Sequence, residues 1–323
     1  MTEQARPAAT DWTYPEPYSM RFVATIAAVL LLLGATGHRV GIDRLFASSP
    51  TGSDGIAALA TRFIPPQLSE RRAIGSLPGF DATNLPPFAY LERVDAIEDR
   101  LDPETMAMTR SRTTKIFLVE PTGYLSRVVV KIFETLEIAL WGTALALLIG
   151  LPLALLGARG TISPPLLGGA IRAITAMLRA LPELISALLL VAVYGFGPIA
   201  GVLALGLHGA GFLGKFFAEE IENADRKPQD ALTAIGAGRF AVWRLAILPQ
   251  VLPQYVGYTA YMLDRNVRMA TVIGLVGAGG IGQELKGRFD MYEYQRVGTI
   301  IIAIFAVVIA LDVLSAQLRK RLM

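Results

Sequence analysis

Cysteine is absent from the 323 residues, which excludes disulfides, thiolate metal sites and a cysteine nucleophile together. Histidine is nearly as scarce. His38 and His208 stand far apart without HExxH spacing, so a histidine-based metalloenzyme lacks its ligands, and His208 reads as a helix-packing residue. Charged residues are sparse at 18%, with an excess of only +3. Lys and Arg border apolar runs instead of forming a basic face, so a pI near 9.1 does not signify nucleic acid.

What the chain has in abundance is apolar surface. It is 53% hydrophobic with a mean hydropathy of +0.48, above the level of a soluble globular domain, and that excess calls for a lipid solvent. A spanning helix needs roughly 17–25 mostly apolar residues. The runs predict an all-α fold, a polytopic membrane helical bundle of about six transmembrane helices. They are Phe22 to Thr36, Ile132 to Leu156 with a tolerated kink at Pro152, Leu166 to Phe196, Ile199 to Phe217, Val251 to Val276 and Val297 to Ala316. The third run is too long for one straight crossing and carries Arg172, Arg179 and Pro182 near its start, so its first part is expected to lie along the membrane surface. The first run is read as an uncleaved span, because about twenty polar and Pro-rich residues precede it and no small-residue cleavage site follows.

Orientation follows from the positive-inside bias. Arg159, Lys215, Arg226, Lys227, Arg239, Arg244, Arg319, Lys320 and Arg321 fall on one side, whereas the other holds only Lys286, Arg288 and Arg296 in its short breaks. Both termini are therefore expected in the cytoplasm. The predicted organisation is a cytoplasmic tail over residues 1–21, a first span at 22–37, an extracytoplasmic insertion at 38–128, a permease core at 129–316 with a cytoplasmic coupling loop at 218–250, and a tail at 317–323. Within the insertion, Leu91, Val94 and Leu101 could line one face of a short helix.

Two stretches carry chemistry. In the first, Pro228 can open a helix, Asp230 would sit in its first turn, where the helix dipole favours an acid, and Gly236 permits a tight turn. Phe240, Val242, Trp243 and Leu245 then present apolar knobs that want a partner. A surface helix resting on lipid headgroups is the alternative reading. In the second, Asp264, Arg265, Asn266 and Arg268 lie inside an apolar segment, where a charge at mid-depth costs at least ~2.5–3.5 kcal/mol. Asp264 and Arg268 are spaced i, i+4 and can pair, while Arg265 projects about 100° away. The cluster either lines or gates a translocation path for an anion or locks neighbouring helices as a structural ion pair.

Two nucleotide-like motifs mislead. Gly277-Ala-Gly-Gly-Ile-Gly282 fits GxGxxG but ends a membrane helix instead of opening a βαβ unit. Gly209 to Phe216 has Walker spacing through Lys215, yet puts Phe where the Mg²⁺-binding hydroxyl belongs. No cofactor site is expected, and ATP must be handled by another polypeptide.

The loop from Glu219 to Gln250 resembles the "EAA" loop of bacterial ABC importer permeases: Asp230, Ala231 and Leu232 lead at family spacing to Gly236, then to Leu248 and Pro249. Asp230 stands where the family has Glu, and Leu232 where it has a second Ala. Further segments, from ETLEIALWGT at Glu134 through NVRMATVIGLVGAGGIG at Asn266 to the terminal LDVLSAQLRKRL, are similar to phosphonate importer permeases across most of residues 132–323. The resemblance implies a type I, methionine-permease-like fold in the bacterial inner membrane and a permease for phosphonate, phosphite or hypophosphite. It also implies three partners: a cytoplasmic ABC ATPase dimer, an extracytoplasmic phosphonate-binding protein, and a second permease subunit, identical or homologous. Arg62 to Pro66 echoes a Pro-Pro segment in that family, and the stretch from there to Glu134 is longer than usual. Methionine or organosulfonate uptake is a lower-ranked substrate reading. An ATP-independent channel or secondary transporter is the reading from a different class, but it leaves the loop from Asp230 to Pro249 unexplained.

Overall fold

The computed structural model describes residues 20–40, 60–76, 85–101, 108–159 and 164–322. Most of the expected amino-terminal tail, residues 1–19, lies outside them, as do the side chains of Arg319, Lys320 and Arg321. Two units divide the chain at residue 61. In the first, α1 (Met20–Val40) is an apolar helix long enough to cross a membrane. Its hydroxyls turn inward on its own backbone, Thr25 donating to Arg21 O at 2.8 Å and Thr36 to Leu32 O at 2.7 Å. An apolar solvent requires this, since it offers such groups no other acceptor.

The second unit joins a small sheet to a helical bundle. Strands β1 (Glu70–Ala73), β2 (Tyr90–Leu101) and β3 (Met108–Glu120) pair antiparallel in the order β1-β3-β2, with Tyr90 opposite Val119 and Leu101 opposite Met108. The helix anticipated at residues 91–101 is thus a strand. Leu91 and Val94 have helical spacing but remain 38% exposed and find their partners across the ladder, opposite Leu118 and Lys115, on a strand that includes the β-branched Thr114 and Ile116. Thr114 Oγ1 also bonds across the pair to Asp95 Oδ1 at 2.9 Å.

The helices are α2 (Gly123–Gly157), α3 (Pro165–Ala180), α4 (Glu183–Tyr194), α5 (Pro198–Asn223), α6 (Arg226–Ala234), α7 (Arg239–Val242), α8 (Leu248–Gly274), α9 (Gly280–Asp290) and α10 (Tyr294–Leu322). Small residues decide how they pack. Gly142 lies against Leu205, Ala146 against Gly209 and Gly150 against Leu213, while Arg159 N donates to Glu222 Oε1 at 2.8 Å. The steady pairing shows α2 and α5 running side by side in the same direction, with glycines letting the backbones approach. Contacts of α8 with α5 run the other way: Tyr255 stacks on Phe217 at 3.8 Å, Met262 meets Gly209, and Ile273 meets Gly201. Ile300 of α10 clusters with Tyr124 and Val128, and Ile304 lies against Ile132, so α10 is parallel to α2. Helices α2, α5 and α10 therefore point one way, and α4 and α8 the other.

Among the described residues, α1, α2, α5 and the first 18 residues of α10 are long and apolar enough to cross a bilayer, and the α3–α4 pair makes a fifth candidate. That pair is bent by 89° at Leu181-Pro182, the point where the residue before a proline is pushed out of the helical region. Helix α8 has the length, 27 residues, but carries Asp264, Arg265 and Arg268. It lies against α5, but it is not among these candidates, so the sixth expected crossing has no counterpart by length and apolarity among the described residues.

Candidate translocation site and coupling segment

Four helices bring polar groups together in the bundle. Glu183 begins α4, where the positive end of the helix dipole favours its carboxylate. Its Oε1 accepts from Arg265 Nη2 of α8 and lies 3.1 Å from Nε2 of His208 on α5. The imidazole's Nδ1 is 3.2 Å from Leu181 O, a carbonyl that the break before α4 leaves outside the regular helix. The Glu183 and His208 side chains are only 10% and 11% exposed, and Arg265 is 26% exposed. One guanidinium nitrogen, Arg265 Nη1, is buried with no hydrogen-bond partner.

One residue on, Asn266 is fully buried. Its Nδ2 donates to Thr143 Oγ1 at 2.9 Å, and that hydroxyl donates in turn to Ala139 O at 2.8 Å. Asn266 Oδ1 is left without a partner. The half-buried Asp264 carboxylate accepts from Arg268 Nη2 at 2.6 Å, with the Arg268 side chain exposed. The structure therefore separates the four predicted residues by partner: Asp264 and Arg268 pair within α8, whereas Arg265 and Asn266 reach side chains of α4 and α2. An unpaired cationic N–H in a low-dielectric setting can recruit an anion, and here it is Nη1, since Glu183 is held by Nη2.

Backbone conformation and close packing account for the glycine motif at the end of α8. Gly277, Gly279 and Gly280 have positive φ values, and a Cβ on Gly282 would lie 2.0 Å from Thr271 O, so this turn admits only glycine. It leads into α9, whose first N–H groups donate to α2 side chains, Gly280 N to Glu134 Oε1 at 2.9 Å and Ile281 N to Thr135 Oγ1 at 2.8 Å. A carboxylate of the chain itself fills the anion seat that a nucleotide phosphate would need.

The predicted coupling segment forms an excursion between α5 and α8. Asp225 caps α6 by accepting from Lys227 N at 3.0 Å, so Asp230 stands one turn further in than the sequence suggested, and it is exposed with Ala231. Pro228 falls in the first turn, where its missing N–H is harmless. Leu232 is half-buried, and Gly236 takes φ +83 with open space around it, ending the helix in a left-handed turn. Ile235, Phe240 and Leu245 are 80%, 73% and 63% exposed, and Phe240 stacks on Trp243 at 6.4 Å. A π-turn over Trp243–Ile247 then runs into Leu248 and Pro249 at the start of α8. The base is clamped: Asp225 N donates to Gln250 Oε1 at 2.9 Å, and Gln250 Nε2 donates to Ala246 O at 2.6 Å. Beyond it, Tyr255 OH donates to Phe217 O at 3.0 Å and Tyr258 OH to Glu220 Oε1 at 2.9 Å, locking the adjoining ends of α8 and α5.

Glu183, His208 and Thr143 were not selected as site residues from the sequence. The available signal was a carboxylate directly after a proline within an apolar run.

Several helices long and apolar enough to cross a bilayer, packed around a half-buried charged cluster, are the features of a multi-pass membrane protein. Residues 146–323 match the family described as binding-protein-dependent transport system inner membrane component, and the chain belongs to that family. The permease protein HtxE of Stutzerimonas stutzeri, assigned by its name to phosphite transport, is 50% identical over 258 residues, covering 80% of this chain and 99% of its own length. The phosphite transport permease PtxC of the same organism is 45% identical over 189 residues, 58% of this chain and 69% of PtxC. In fold, the chain is similar to the inward-facing MetNI methionine ABC transporter, with a TM-score of 0.53 at 22% identity over 61% of this chain and 96% of that one.

Proposed function

We propose that this chain is the permease subunit of an ATP-driven importer for a small phosphorus oxyanion, phosphite or a phosphonate, with a second permease subunit completing the path. Support for the substrate class comes from the phosphite-transport names of relatives up to 50% identical. The observation that carries the site assignment is Arg265, a cation inside the bundle held by Glu183 and keeping one N–H unpaired. Arg265 and Asn266 serve the passing oxyanion, Glu183 displaces it afterwards, and the Asp264–Arg268 pair borders the path.

The segment from Asp230 to Pro249 docks on a separate cytoplasmic ATPase dimer through Ile235, Phe240 and Leu245, and an extracytoplasmic binding protein delivers the substrate. This arrangement puts both termini in the cytoplasm, in keeping with the positive-inside bias. Movement of the segment passes into α8 through the π-turn and the Gln250 clamp, because Arg265 lies on that same helix about 25 Å from Leu248.

Uptake of phosphite and methylphosphonate into vesicles carrying the whole transporter tests the reading. Uptake should require ATP and binding protein and should fall at least about tenfold in Arg265→Gln. ATP-independent uptake, or full-rate uptake by the variant, overturns it.

A further inference from the structure

A second charged site lies at the coupling end of the bundle, apart from Glu183 and Arg265. A cavity of about 290 Å³ opens between the end of α2, the body of α3 and the last turns of α5. That is near the lower end of the volumes typical of small-ligand sites. Gly157, Ala176, Gly214 and Ala218 leave the space, and its charged lining is Arg159, Arg172, Arg179, Lys215, Glu219 and Glu222.

The charges do not cancel. Lys215 pairs with Glu219 at 3.4 Å, and Glu222 accepts the backbone N–H of Arg159, not its side chain. Arg172 donates one N–H to Gly157 O at 2.8 Å, closing the carboxyl end of α2, and its guanidinium contacts no acid. Among the described residues, Arg159, Arg172 and Arg179 have no carboxylate partner. Three guanidiniums around one partly enclosed space repel one another, and a shared counter-anion removes that penalty. Guanidinium forks lining one cavity suit a phosphate group, whose tetrahedral oxygens accept from more than one donor.

We propose that this cavity is a phosphate-binding site with Arg159, Arg172 and Arg179 as its ligands. Two sources present that chemistry at this depth. An anionic phospholipid headgroup would tie the bundle to the cytoplasmic leaflet. Free inorganic phosphate would let the cytoplasmic pool act on the helices that flank the coupling segment. The proposal uses the orientation given above but not the transport reading. Its test needs neither ATPase nor uptake, so the two fail separately.

Purified full-length chain is titrated with inorganic phosphate, followed by thermal shift, and is separately exchanged into phosphatidylcholine vesicles with and without phosphatidylglycerol, retained lipid being counted by native mass spectrometry. Arg172 is kept because it closes α2. The Arg159→Gln/Arg179→Gln pair should weaken binding by about fivefold for each charge removed, and the Arg159→Lys/Arg179→Lys pair should recover most of it. Retention of phosphatidylglycerol alone assigns the headgroup, response to phosphate alone assigns the free ion, and either supports the site. Failure of wild type to bind either probe, or glutamine variants that bind as tightly as wild type, overturns it. Should the glutamine pair fail to fold, single Arg159→Gln, at the exposed rim of the cavity, decides the question by the same two measurements.

Discussion

Glu183 and Arg265, 82 residues apart, meet inside the bundle because the chain breaks at Pro182 and turns the first residue of α4 toward α8. Substitution at Glu183 separates the proposed gate from a simple structural pair. Glu183→Gln removes the resident anion while leaving Arg265 charged, so substrate should bind more tightly and leave more slowly. Vesicle uptake should show a lower KM and a lower kcat. A structural pair predicts lower transporter abundance with both constants unchanged.

Asn266→Leu tests whether the unpartnered Oδ1 serves transport. The amide makes one hydrogen bond, to Thr143, and Thr143 keeps its own acceptor at Ala139 O. The loss in stability should be no more than about 1 kcal/mol, read as a small shift in Tm in detergent. Uptake should nonetheless fall severalfold, and unchanged uptake removes Asn266 from the path.

The helix, the left-handed turn and the re-entry into α8 over residues 226–249 were legible in the sequence because their signals are local. Gly236, Leu248 and Pro249 occur at fixed spacings, and the Asp264–Arg268 pair follows from the pitch of one helix. Glu183 and His208 were not, since each meets its partners only through the break at Pro182 and the approach of α5, and neither event has a period in the sequence. The sheet escaped for a related reason: Leu91 and Val94 have helical spacing, but pairing with β3 decides their conformation.

Gln250→Ala should uncouple the motor from the pore. Its side chain holds Asp225 N and Ala246 O, so removal frees the base of the excursion without exposing a core residue. ATP hydrolysis by the assembled transporter should persist while uptake per ATP drops by at least about half. A proportional fall in both would mean that the clamp only maintains the fold.

The α9 cap gives a stability prediction. Glu134→Ala removes the acceptor for Gly280 N and the partner of Lys131, at a cost of about 0.5–2 kcal/mol. Gly282→Ala should be worse, because its Cβ would collide with the backbone of Thr271, whereas Gly287→Ala meets nothing and should be neutral or slightly stabilising. Thermal unfolding of the three variants in one detergent checks the order.

The matched run of α2 beside α5 has a consequence for change in length. Gly142 and Gly150 on α2, and Gly206 and Gly209 on α5, each face a larger neighbour on the other rail, so inserting a single residue into either helix would swing every later side chain by about 100° and drive bulk into backbone. Point substitutions can be absorbed one at a time along these rails, but a one-residue insertion would dislocate the bundle from there to the coupling end.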